Sequence, residues 1–354
     1  MKNKEFRSPS LRGVGEVRGL LILLTALLLL TASCDVGTQR PQRRHRRSLL
    51  VPSSSGNPYE VMVVADDTLW NGYAGRALRE VLGRAIPMLP QHEPVFHVSH
   101  VTERHYDRIT NLFRNIILLK TSPYRAEPKI QVERDLHASP QLVMTIEGAS
   151  DQQLSPFITE QSSFLVRYFT AEEINREATR LEDQYNIKFN QKVQEMFDCE
   201  MYIPADIRKM KVGNDFIWAS DDGLTSIQNI CIYSYPYFTE RVFSGRNAYM
   251  ALRDSFMRAN IPGEHPGSHM TTNHEFCDVT NMDIQGHYVQ EARGLWEMTG
   301  EAMGGPFVAH SQVDTVNNRV IVVEGFVYAP DKMKRTMLRR LEAALYTLRL
   351  PARH

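Results

Sequence analysis

Residues 60–67 read EVMVVADD, a strand-length run of Val, Met and Ala closed by Asp66 and Asp67. A continuous apolar run of this length, rich in β-branched residues, reads as a strand buried on both faces. Asp67 is placed to cap a following helix to about Leu82, whose Trp70, Ala74, Leu78 and Val81 share one face. Pro87, Pro90 and Pro94 mark a loop, and Val95–Val101 alternates as a second strand. A short helix capped by Thr102 and a strand over Arg114–Lys120 complete a β-α-β-α-β order. That order predicts a sheet with crossover helices.

Working outward, strands are expected near Ile130–Glu133 and Leu142–Ile146. Thr170-Ala171-Glu172-Glu173 has capping-box spacing, and Ile174, Ala178, Leu181, Tyr185, Phe189, Val193 and Met196 then recur at helical intervals. One long helix to about Phe197 is the expectation. Beyond it lie strands over Asp215–Ser220 and Ile227–Tyr233, a helix from Ser244 to about Ala259, and a loop rich in His, Pro and Gly. Strands near Tyr288–Met298, Phe307–Asp314 and Arg319–Tyr328 follow, with Asn317-Asn318 at a hairpin turn. A last helix is capped by Asp331 and carries Met333, Met337, Leu341 and Leu345 on one stripe. The expected class is α/β or α+β, with two mixed-sheet domains and packed helices at 59–198 and 199–350. The strand-helix order of the second is analogous to PsbP-like and Mog1-like sandwiches, a likeness of fold only.

The N-terminus reads as an address. Five basic residues precede Leu20–Leu30, an 11-residue apolar run too short to span a bilayer comfortably. Thr31-Ala32-Ser33 and Cys34 follow, and the whole resembles a bacterial lipobox, which implies cleavage after residue 33 and lipid on Cys34. Residues 34–58 read as a basic tether in which Arg40, Arg43, Arg44, Arg46 and Arg47 can meet anionic headgroups. The chain balances 41 Lys+Arg against 41 Asp+Glu, but beyond Arg47 there are 31 against 38. The basic charge therefore gathers where a membrane is expected, and an acidic body argues against nucleic acid as a partner.

Ile232–Tyr237 (IYSYPY), Arg253–Gly263 (RDSFMRANIPG), Arg293–Met298 (RGLWEM), Gly304–Val308 (GGPFV) and Glu324–Pro330 (EGFVYAP) occur in that order, after an early DDTLWNG at Asp66–Gly72. With these motifs the chain resembles an uncharacterised family of Bacteroidota lipoproteins, catalogued as a domain of unknown function. The resemblance spans roughly Asn57 to Leu348 and implies an envelope lipoprotein. It carries over no catalytic residue.

Chemistry has few footholds. His265, His269, His274, Glu275, Cys277 and Asp278 are spaced closely enough for a zinc site, with His265, His269, His274 and Asp278 the candidate ligands. Against this, Pro262, Gly263, Pro266 and Gly267 disfavour the helix that would align the first two histidines. Asp66 and Asp67 end a strand where α/β ligand sites form. Trp70, Trp218 and Trp296 are candidates to line a cleft, with packing the simpler reading. With Cys34 lipidated, Cys199, Cys231 and Cys277 allow at most one internal disulfide. No phosphate loop, dinucleotide fingerprint or nucleophile elbow is present.

The expected function is that of a membrane-anchored lipoprotein of the cell envelope, at the outer membrane facing the periplasm. It acts as a non-catalytic binding or assembly factor, with the membrane and an envelope protein as partners and no cofactor. The alternatives are a ligand-binding protein with an interdomain cleft, and a metal-dependent hydrolase using zinc at the His265–Asp278 region.

Overall fold

In the computed structural model, which describes residues 51–237, 243, 245–284 and 286–352, the EVMVVA run forms β1 (Glu60–Val64), with Val61 to Val64 buried. The helix expected over Asp67–Leu82 is instead two, α1 (Asp67–Asn71) and α2 (Tyr73–Gly83). They part at Gly72 because the carboxylate of Asp151 accepts the backbone N–H groups of Tyr73 and Ala74, at 2.8 and 2.7 Å, and so starts a second helix. A Cβ at residue 72 would lie 2.5 Å from that carboxylate, so a side chain there would displace the group that starts α2.

The strands β2 (His97–Val101), β3 (Asn115–Thr121), β4 (Lys129–Arg134) and β5 (Leu142–Gly148) join β1 in the order β2-β1-β3-β5-β4. β4 alone runs antiparallel to its neighbour. One face is covered by α2, α3 (Asp151–Glu160) and α4 (Ser162–Asp183), over a core that includes Val61, Val63, Ile117, Leu119, Met144 and Ile146.

The long helix expected from Thr170 to Phe197 begins and ends elsewhere. α4 starts at Ser162, because Leu165, Val166 and Phe169 extend the buried stripe upstream and place the capping box inside the helix. It stops at Asp183, and α5 (Ile187–Phe197) starts anew where the Asn186 side chain accepts the N–H of Phe189 at 3.0 Å.

The second sheet is antiparallel. Its strands are β6 (Lys209–Gly213), β7 (Phe216–Ser220), β8 (Ile227–Pro236), β9 (Met270–Ile284), β10 (His287–Met298), β11 (Gly304–Asp314) and β12 (Arg319–Tyr328), in the order β6-β7-β8-β12-β11-β10-β9. α6 (Arg246–Asn260) packs against β9 on one face. α7 (Arg335–Leu345) covers the other face, where α5 shares its core. The His-, Pro- and Gly-rich loop expected after α6 is short, since from Met270 the chain is the edge strand β9. Only three of its fifteen residues are buried, so it lacks the apolar alternation that marks a half-buried strand.

The architecture is thus α+β, with a mixed five-stranded and an antiparallel seven-stranded sheet. From Val51 onward the chain is one compact unit. α4 packs on α7 across the seam, and the buried Glu93, from the loop before β2, accepts the N–H groups of Lys334 and Arg335 at 2.6 and 2.8 Å. That carboxylate caps α7 in place of Asp331.

Candidate functional site

Cys34, Arg40, Arg43, Arg44, Arg46 and Arg47 lie outside the described residues. The remaining candidates separate. Asp66, not Asp67, caps α1, accepting the N–H of Leu69 at 2.8 Å, while Asp67 is exposed. Trp70 stacks on His100 with ring centroids 4.6 Å apart, and Arg79 lies over the indole at 4.4 Å.

The expected zinc set is not brought together. His269 Nε2 accepts from Arg258 Nε at 3.1 Å, so the ring proton sits on Nδ1, which donates to Gly267 O at 2.9 Å. Both ring nitrogens are therefore engaged. His274 Nε2 lies 3.3 Å from Asp254 Oδ2. Asp278 accepts the N–H of Val279. β9 bulges between Thr272, opposite Trp296, and Cys277, opposite Gly294, which sets His274 off the paired part of the strand that carries Asp278. The backbone N–H of His265 is held by Glu301, whose carboxyl is kept below its ordinary value by hydrogen bonds from Ser268, His265 and Glu264. Among the described residues no three His, Cys, Asp or Glu side chains are placed to hold a metal ion. Cys199, Cys231 and Cys277 are free and buried, and burial pushes the Cys277 thiol up to about 11 and that of Cys199 to about 12.

What the fold does assemble is an open apolar groove of about 520 Å³ at one end of the seven-stranded sheet. Met270, Trp296 and Met298 are buried at its floor, and Trp218, Met303 and Tyr328 are half-buried in its walls. Met210, on the edge strand β6, is 41 % exposed at the lip. The loop Pro262-Gly263-Glu264 after α6 closes one side.

Strand alternation puts Trp296 and Met298 of β10 on one face, and β12 contributes Phe326 and Tyr328. The indole N–H of Trp296 donates to Val327 O at 3.2 Å. Gly305 permits this close packing, since a Cβ there would lie 2.0 Å from the same oxygen. On the rim, Lys209 pairs with Asp222, Lys211 donates to Asn260 O and Glu301 holds the loop, on which Glu264 is exposed. The groove therefore offers thioether and aromatic surface, which adapts to apolar ligands of varied shape.

Residues 186–347 match the family model of a domain of unknown function, DUF4837, and residues 54–182 match that of a second, DUF8532. The chain carries two domains of unknown function. No curated protein matches it. Every residue lining the groove falls within the DUF4837 match.

Behind the groove, the DUF4837 sheet is fastened to α6 by a buried ion pair. Arg253 donates through Nε and Nη2 to Glu324 at 2.9 and 2.7 Å, through Nη1 to Thr272 Oγ1 at 2.8 Å, and lies 4.1 Å from the centroid of the Phe307 ring. Burial pushes the Glu324 carboxyl up, and Arg253 only partly offsets it. Removing either partner of such a pair costs about 3–5 kcal/mol. The tryptophans of the groove were visible as candidates in the sequence. The methionines were not, since Met210, Met270, Met298 and Met303 converge only through sheet pairing. Their one trace is the count of 15 Met in 354 residues.

Proposed function

We propose that this chain is a membrane-anchored lipoprotein of the cell envelope, tethered through Cys34, whose body is a non-catalytic binding factor. Its DUF4837 groove holds an acyl chain. The observation that carries this reading is the gathering of four methionines and two tryptophans in one open groove. An anchor at Cys34 would keep that groove close to a source of acyl chains, and Met-lined surfaces repack around such flexible occupants.

The neutral apolar dye N-phenylnaphthylamine tests it, because Trp218 and Trp296 would transfer energy to a dye in the groove. The wild-type chain is expected to bind with a rise in dye emission and a fall in tryptophan emission, both reversed by an added long-chain alcohol. Met210→Asp places a charge at the exposed lip without disturbing the core and is expected to weaken binding about tenfold. Unchanged binding by this variant would remove the groove from the function.

A further inference from the structure

A second cavity, also of about 520 Å³, lies in the seam between the two matched domains. Its apolar walls include Val166 and Ile174 of α4 and Met282 and Ile284 of β9. Along one side runs a chain of alternating charges. His310 Nε2 lies 3.3 Å from Glu291 Oε2. Arg293 grips Glu291 through its Nε and Nη2 at 2.7 and 2.9 Å and also donates to Glu342. Arg339 Nη1 then donates to the other oxygen of Glu342 at 2.8 Å. Each oxygen of both carboxylates meets at least one of these donors. Burial would push Glu291 up, but Arg293 and His310 outweigh it and hold its carboxyl at about 2.

The donors are in surplus. The chain of charges ends on Arg339, whose Nε is buried with no acceptor among the described residues. Nε and Nη2 form the side edge of a guanidinium, the fork that Arg293 uses on Glu291. Thr170 Oγ1 lines the same cavity and is also buried without a partner. A helical threonine commonly satisfies its hydroxyl on the carbonyl one turn back, and Thr170 does not. Two unmet donors beside apolar walls complement an acceptor on an apolar body. The formal charges of Glu291, Arg293, Glu342 and Arg339 cancel, so recognition rests on directional donors rather than on a net field.

We propose that this seam cavity binds a small organic carboxylate, its head forked on the free edge of Arg339 and hydrogen-bonded to Thr170, its body against α4 and β9. The site is separate from the groove, and neither depends on the other.

Decanoate labelled with ¹³C at the carboxyl, added to the full chain, reads the head group directly by NMR. A distinct bound carboxyl signal is expected, and calorimetry on Met210→Asp, whose groove is weakened, should find decanol at least about tenfold weaker than decanoate, the value of hydrogen bonds to a charged group. Arg339→Gln and Arg339→Lys should both lose the bound signal, since lysine keeps the charge but not the fork. Thr170→Val leaves every ion pair of the network intact and should weaken decanoate several-fold, so it decides the matter if the Arg339 variants do not fold. Met210→Asp should leave the signal unchanged. A signal that survives both Thr170→Val and the folded Arg339 variants, equal binding of decanol, or loss of the signal in Met210→Asp would overturn the proposal. The last would place the decanoate in the groove.

Discussion

A helix cap needs extended backbone and a side-chain oxygen within reach of the N–H two or three residues on. Asp66 has φ −67° and ψ 157° and meets the N–H of Leu69, whereas Asp67 is already the first helical residue. The two neighbours therefore differ in their contribution. Asp66→Ala is expected to cost about 1 kcal/mol of stability, and Asp67→Ala no more than about 0.5 kcal/mol, read from urea unfolding midpoints. Equal losses would mean that local charge rather than the cap matters. The sequence could place an aspartate cap at this turn but not choose between adjacent aspartates, because the choice depends on where backbone dihedrals change. The same limit applies at Thr170. Its spacing to Glu173 satisfies the capping-box pattern, yet burial of Leu165, Val166 and Phe169 outweighs the local signal and makes it an interior residue.

At the scale of elements, β10, β11 and β12 were legible to within a few residues, because they are long and largely buried and so rich in apolar and β-branched residues. β9 was not, because an edge strand with a largely solvated surface carries no apolar period. The start of α7 was hidden for another reason. Its capping carboxylate, Glu93, lies 241 residues away in the chain, so no local pattern contains it. Glu93 satisfies two free N–H groups at the first turn and, as an anion, suits the positive end of the helix. It also ties the loop before β2 to the second sheet, as does Arg335 Nη1 donating to Pro94 O at 2.9 Å. Glu93→Ala should lower stability by about 1–2 kcal/mol. Glu93→Gln should cost less, since one acceptor oxygen remains. Hydrogen exchange should show the first turn of α7 opening before the seven-stranded sheet in Glu93→Ala. If α7 stays as protected as in the wild type, the cap is not what fixes its start.

For the whole molecule, the division between a basic N-terminal region and an acidic body is the feature that motivates the proposed placement at a membrane. Five arginines from Arg40 to Arg47 precede a body with 31 Lys+Arg against 38 Asp+Glu. At about 1 kcal/mol per arginine near an anionic surface, and with screening by salt, those arginines alone would give weak and salt-sensitive attachment. Two or more acyl chains on Cys34, at about 0.8 kcal/mol per buried CH₂, would give an attachment that salt does not reverse. The two contributions thus separate in one experiment. Cells expressing the wild-type chain and fed a palmitate label should yield a labelled, membrane-bound protein that 1 M salt does not release. Cys34→Ala should carry no label, and whatever fraction stays on membranes should leave at high salt. Replacing the five arginines by glutamine while keeping Cys34 should leave the label and the salt-resistant attachment in place. Label that persists in Cys34→Ala, or wild-type protein that salt strips from the membrane, would refute lipidation at Cys34 and leave the basic segment as the only contact with the membrane.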